Sequence, residues 1–214
     1  MFILPVQEGN PPKKFPLVNV LLILLNIYVF IKAAFQPSFE QFVFKYGFIP
    51  LHPHLANVFS SMFLHAGPWH LIGNMYFLFV FGDNVEDRLG RLRYLLAYFL
   101  SGIGACYLQY AVDPLSRLPL VGASGAISGV CALYVVMFPW QKMRLQFFFL
   151  VFPIFSIGTR AFFVVGFWFL EQYFMATHVD SSMGGVAFWA HVGGFLTGIL
   201  LFPLLVPSKK TRFQ

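Results

Sequence analysis

Charge is scarce in this sequence. Of 214 residues, 8 are acidic and 14 basic, so charged side chains make up 10% of the chain against 58% hydrophobic and 20% aromatic. A water-soluble domain carries about a quarter of its residues charged, so this balance excludes one and indicates a polytopic membrane protein. Cysteine is nearly absent too. Cys106 and Cys131 both fall in apolar runs, where a free thiol acts as a small hydrophobe, and neither a disulfide framework nor a metal site is expected. Aspartyl chemistry would need two mid-membrane aspartates, and neither exists. The HExxH pattern of a helical zinc site is missing, and the His52 and His54 pair, with no carboxylate or thiol beside it, reads as interfacial loop. No metal and no cofactor are expected, and no inverted repeat suggests a transporter.

What the chain has in abundance is long apolar runs. They fall at 17–36, 69–82, 94–112, 122–139, 160–177 and 186–206, each near the ~20 residues needed to cross the hydrocarbon of a bilayer once flanks are counted. The expected fold class is all-α: a polytopic bundle of six transmembrane helices. An apolar stretch at 36–68 between the first two spans is expected to dip into the outer interface, and "LQFFFLVFPIF" at 145–155 reads as a cytoplasmic interfacial segment. The expected organisation is a cytoplasmic tail at 1–16 with no leader peptide, one membrane domain at 17–206 and a basic cytoplasmic tail at 207–214.

The net charge of +6 follows from topology. With the N-terminus cytoplasmic, only Lys32, Lys45 and Arg117 fall outside, which is the positive-inside pattern. Both termini are then cytoplasmic, and a prokaryotic plasma membrane is the expected location. The lipid bilayer is the partner that this pattern implies. No basic patch interleaved with surface aromatics is left over to bind nucleic acid.

Polar side chains inside spans are costly and therefore informative. Fifteen residues separate Ser124 from Pro139, and fifteen separate His191 from Val206, placing each ~22 Å above the inner boundary at 1.5 Å per residue. His70 arrives at about the same level, ~20 Å, and Asn74 shares its helical face four residues on. The fourth span carries Gly122, Gly125 and Gly129, and the sixth carries Gly194 and Gly198 in GxxxG spacing, which allows close backbone approach. Ser124 would then meet His191. A hydroxyl becomes a nucleophile when a base takes its proton, and imidazole can do that. The first turn of the fourth helix supplies unpartnered N–H groups for an oxyanion, with His70 and Asn74 adding side-chain hydrogen bonds. Asp83, Glu86 and Asp87 lie near the cytoplasmic end and Asp180 in an outer loop, so no carboxylate is expected at this depth, and a Ser/His dyad is expected in place of a triad.

These residues resemble the rhomboid intramembrane serine proteases over essentially all six spans. The family's GxSG stands as "GASG" at 122–125, its second-span signature as "HAGPWHLIGN" with His65, His70 and Asn74, and its last-span histidine as "AHVGGFLTG" with His191. The acidic turn "GDNVEDRLG" is also similar. The resemblance implies Ser124 as nucleophile, His191 as general base, and His70, Asn74 and the Ser124 N–H as the oxyanion site. It implies structural roles for His65 and Glu86. Position 128 is Ser where some relatives carry an aromatic packed on the catalytic histidine. The implied function is cleavage, by the Ser/His dyad, of peptide bonds in or near the transmembrane segments of membrane proteins, so transmembrane protein substrates are the partners implied beside the lipid bilayer. The alternative is a non-proteolytic rhomboid-like protein that binds client helices. Phe163, Phe167, Trp168 and Phe169 on the fifth span form the expected edge past which a substrate would pass.

Overall fold

A computed structural model describes residues 2–150, 152–179 and 185–206. Asp180 and the basic tail 207–214 lie outside the described residues. Each of the six apolar runs contains a helix. They are α1 (Leu17–Ala34), α4 (Pro68–Phe77), α6 (Arg91–Val112), α7 (Ser124–Met137), α8 (Ala161–His178) and α9 (Phe188–Leu205). The segment between the first two carries α2 (Phe39–Tyr46) and α3 (Leu55–Ser60), and α4 continues through a wide π turn, Leu78–Gly82, into α5 (Asp83–Leu89). The protein is mostly helical. Among the described residues, α1, α6 and α9 are long and apolar enough to cross a membrane, and α7 is a shorter apolar helix. At 14 residues, α7 is roughly 21 Å long and so falls short of the full hydrocarbon thickness.

Residues 142–160 depart from the expected all-α bundle. They form an antiparallel hairpin, β2 (Lys142–Phe149) and β3 (Phe152–Arg160), and β1 (Phe2–Gln7) pairs with the free edge of β2 in the order β1-β2-β3. The physical reason is the run of aromatic and branched residues, which fits a pleated surface. Pro153 sits on β3, an edge strand, where a missing N–H is tolerated. Residues 2–7, expected to belong to a tail, are therefore one strand of a small sheet. An ion pair between Arg144 and Glu8 (2.8 Å) closes its base.

The sheet is tied to the second helical segment. Tyr76 donates its hydroxyl to the Pro5 carbonyl (2.9 Å), Asn84 donates to Gln7 Oε1 (2.9 Å), and the Gln7 amide donates to the Val80 carbonyl. That carbonyl lies in the π turn, as does the Leu78 carbonyl, which accepts from Asn19 Nδ2 at 2.9 Å. A widened turn gives its carbonyls to side-chain donors from outside the helix. Below it, the buried Glu86 carboxylate accepts from the backbone N–H groups of Val18 (3.1 Å) and Asn19 (2.7 Å). Glu86 thus satisfies orphan donors in the first turn of α1 and places negative charge at its positive end.

The centre of the bundle is α6, α7 and α9, packed through residues with little or no side chain. A methyl group added at Gly194 would strike the Gly125 carbonyl oxygen, and one at Gly198 would strike that of Gly129. One at Gly125 would meet Ala105 on α6. This close approach of α7 to α9 fixes the relative height of Ser124 and His191.

Candidate active site

Ser124 is the first residue of α7, and Ile127 N–H to the Ala123 carbonyl (2.9 Å) is among the first bonds of that helix. The Ser124 N–H therefore precedes the ladder and points from the positive end of the helix dipole. Gly122, just before it, has φ +124°, a left-handed conformation that an L side chain rarely adopts. A Cβ there would also lie 2.8 Å from the His70 ring. The GxSG pattern thus has two local reasons at its first glycine: backbone conformation and room for His70.

His191, in the first turn of α9, places Nε2 2.8 Å from Ser124 Oγ. Its other ring nitrogen, Nδ1, lies 2.6 Å from Oε1 of Gln172 on α8. The ring also lies near Trp168 (centroids 6.0 Å apart) and meets Phe188 edge-on at 6.4 Å. Ser128, at the position where an aromatic could have packed on the histidine, instead donates to the Ser124 carbonyl at 2.7 Å. Trp168, one helical turn before Gln172, supplies an aromatic neighbour from another helix.

A cavity of about 580 Å³ opens over this pair, with His70, Asn74, Ser124, Trp168 and His191 in its wall. Asn74 is buried in this wall, and its Nδ2 has no hydrogen-bond partner among the described residues. His70 Nδ1 accepts a long bond from the Ala66 N–H (3.4 Å). His65, 1% exposed, packs edge-on against His70 with ring centroids 5.1 Å apart. Burial, reinforced by the nearby His70, pushes the His65 imidazole down to about 3. Cys106 and Cys131 are free and buried.

The structure therefore brings Ser124, His191, His70 and Asn74 to one cavity, with His65 behind it. Glu86 lies apart, at the foot of α1. Two groups escape a reading of the sequence. Glu171, next to the residue that bonds His191, corrects the expectation of no carboxylate at this depth, but it is exposed and borders a separate cavity of about 410 Å³ with Cys131 and Phe163. Gln172 beside it is buried and reaches His191. A lone amide within an aromatic run is the signal, since a polar side chain in a span needs a partner.

A sequence model of the rhomboid domain matches residues 52–208, which include Ser124 and His191. The chain is 29% identical over 189 residues to Rhomboid protein 1, mitochondrial, of Saccharomyces cerevisiae, covering 85% of this chain and 52% of that protein. It is 27% identical over 159 residues to Rhomboid-like protein 11, chloroplastic, of Arabidopsis thaliana (68% and 51%). It is 31% identical over 167 residues to Rhomboid protease AarA of Providencia stuartii (70% and 56%). The chain spans about half the length of these relatives. The apolar helices and the rhomboid relatives support a multi-pass membrane protein, while the mitochondrial and chloroplastic relatives leave a prokaryotic plasma membrane without support over an organelle.

Proposed function

The chain belongs to the rhomboid family, and from that premise we propose that it is an intramembrane serine endopeptidase acting on transmembrane proteins. The observation that carries this reading is the 2.8 Å approach of His191 Nε2 to Ser124 Oγ in the wall of an open cavity. His191 Nε2 takes the hydroxyl proton as Oγ attacks the scissile carbonyl carbon. The Ser124 N–H, Asn74 Nδ2 and His70 stabilise the resulting oxyanion. The protonated imidazole then gives its proton to the departing amine, and water, activated by the same nitrogen, releases the acyl product.

The membrane domain runs over 17–206 with six spans and both termini cytoplasmic, so α7 starts below the outer boundary and its first turn meets water there. A substrate helix must unwind locally before its backbone can reach Ser124, because a helical peptide bond is shielded by its own hydrogen bonds. Substrates are single-span proteins with small residues at the cleaved bond and Gly or Pro nearby, which lower the cost of unwinding. The test is reconstitution of the full chain with such a protein and mass-spectrometric identification of products. Wild type cleaves and Ser124→Ala does not. Equal cleavage by both, or none by wild type in lipid, would sink the protease reading and leave client-helix binding.

A further inference from the structure

The 18 residues of α8 include only three that are buried, Ala161, Val165 and Gln172. Two are small or branched apolar residues on the packed stripe. Gln172 is the polar one, 6% exposed, and its Oε1 sits 2.6 Å from His191 Nδ1. A buried amide on a helix that otherwise faces outward is costly unless its partner needs it.

With Oε1 as acceptor, the His191 proton resides on Nδ1. Nε2 then carries the lone pair, and it faces the Ser124 hydroxyl at 2.8 Å. The opposite tautomer would set the Nδ1 lone pair against a carbonyl oxygen and put a proton between Nε2 and Oγ, where it could not accept the serine's. We propose that Gln172 is a positioning residue that holds His191 as the Nδ1–H tautomer and fixes its ring plane, completing a Ser124–His191–Gln172 array drawn from α7, α9 and α8. This rests on the protease reading above. The amide carries no charge, so it orients the base without the added stabilisation that a carboxylate would lend the imidazolium. Of the titratable groups nearby, His70 faces the cavity from α4, and Glu171 precedes Gln172 on α8 but is exposed.

The test is the rate at which a fluorophosphonate labels Ser124 in the full chain in detergent, measured from pH 5 to 9 for wild type, Gln172→Leu and Gln172→Glu. Gln172→Leu is expected to lower the labelling rate about tenfold to a hundredfold at every pH, through a ring no longer held in place. Gln172→Glu keeps an acceptor of the same shape. It is expected to label well at high pH, with the acid limb of its profile displaced upward by about one pH unit or more. Because glutamate can only accept, its activity also separates an amide oxygen facing Nδ1 from an amide nitrogen there. Labelling of Gln172→Leu at the wild-type rate, or an unmoved acid limb in Gln172→Glu, overturns the role of Gln172 while the protease reading stands. Wild type that fails to label, or labelling that persists in Ser124→Ala, overturns both. Should Gln172→Leu not fold, the Gln172→Glu profile alone decides.

Discussion

Helices α7 and α8 both reach His191, and they are held in opposite ways. Ten of the 14 residues of α7 are buried, against three of the 18 of α8. Where α7 meets α9 the contact is backbone on backbone, with glycines at 125, 129, 194 and 198 leaving no space for a methyl group. Where α8 meets α9 the contact is side chain on side chain: Gln172 with His191, and Phe169 stacked on Phe195 at 4.1 Å. The difference teaches how one imidazole can be gripped in two ways. One side meets the Ser124 hydroxyl, whose height is set by a seam with no room to shift. The other meets a helix held mainly by side chains, so displacing α8 would remove the Gln172 acceptor and, on the role proposed above, free the imidazole ring to turn away from Ser124.

Breaking the α7/α9 seam should have the largest effect. In Gly194→Val, the new side chain meets the Gly125 carbonyl, and neither backbone can retreat without moving Ser124. Overpacking of this kind costs about 3 kcal/mol. A sharp fall in melting temperature in detergent, accompanied by loss of proteolysis, is expected; a variant as stable as wild type would show that the seam is softer than its geometry. Next in size is Asn74→Ala, which separates reactivity from stability. Its Nδ2 is buried without a partner among the described residues, so removal forfeits no hydrogen bond seen from that nitrogen in the resting protein. The turnover number should fall about a hundredfold, the scale of one oxyanion donor, while the melting temperature holds. A lowered melting temperature with unchanged turnover would make Asn74 a packing residue.

The two sides of His191 also differ in how far they are legible in the sequence. Ser124 and His191 can be paired because helical rise converts residue counts into depth, and because GxxxG spacing by itself signals close approach of two helices. Gln172 cannot be paired this way. Counting along "GFWFLEQYFMATH" gives its height but not which face turns toward α9, in a helix whose aromatics surround it on all sides. The sheet is hidden for another reason. β1 and β2 meet across about 140 residues of sequence, Leu4 opposite Gln146, and no local pattern reports such a pairing. An aromatic run beside lipid reads equally well as an interfacial segment. Asn19 on α1 carries the same signal as Gln172, a polar side chain in an apolar run, but its partners, the Leu78 carbonyl and the Tyr94 hydroxyl (2.7 Å), come from two other helical segments far along the sequence, so the sequence does not identify them.

A smaller effect comes from the cavity wall behind His70. The His65 imidazole is neutral in the folded protein, held down to about 3 by burial and by His70, whereas in the unfolded chain it takes a proton below its ordinary value of 6.5. Between those limits the unfolded state binds more protons, so stability is full above about pH 6.5 and declines as pH falls toward 3. From pH 7 to pH 5 the loss should be on the order of 2 kcal/mol. Thermal denaturation of wild type and His65→Leu at the two pH values checks it: the variant should show a shallower decline, and identical slopes would mean that the folded protein accommodates a charged His65.

The smallest effect is the one that tests the loosely held side directly. Phe167 on α8 is 75% exposed, and on the six-span reading proposed above its ring lies among lipid tails whether or not α8 is docked. No apolar area leaves water when α8 packs, so Phe167→Ala should change stability by less than about 0.5 kcal/mol. Two residues on, Phe169 is half-buried and stacked on Phe195, and its replacement by Ala should cost about 1 kcal/mol through loss of the ring pair. Comparing the two melting temperatures in one detergent cancels the contribution of the micelle. Equal losses would mean that the outer face of α8 is packed as firmly as its inner one, and the contrast with α7 would then rest on His191 and Gln172 alone.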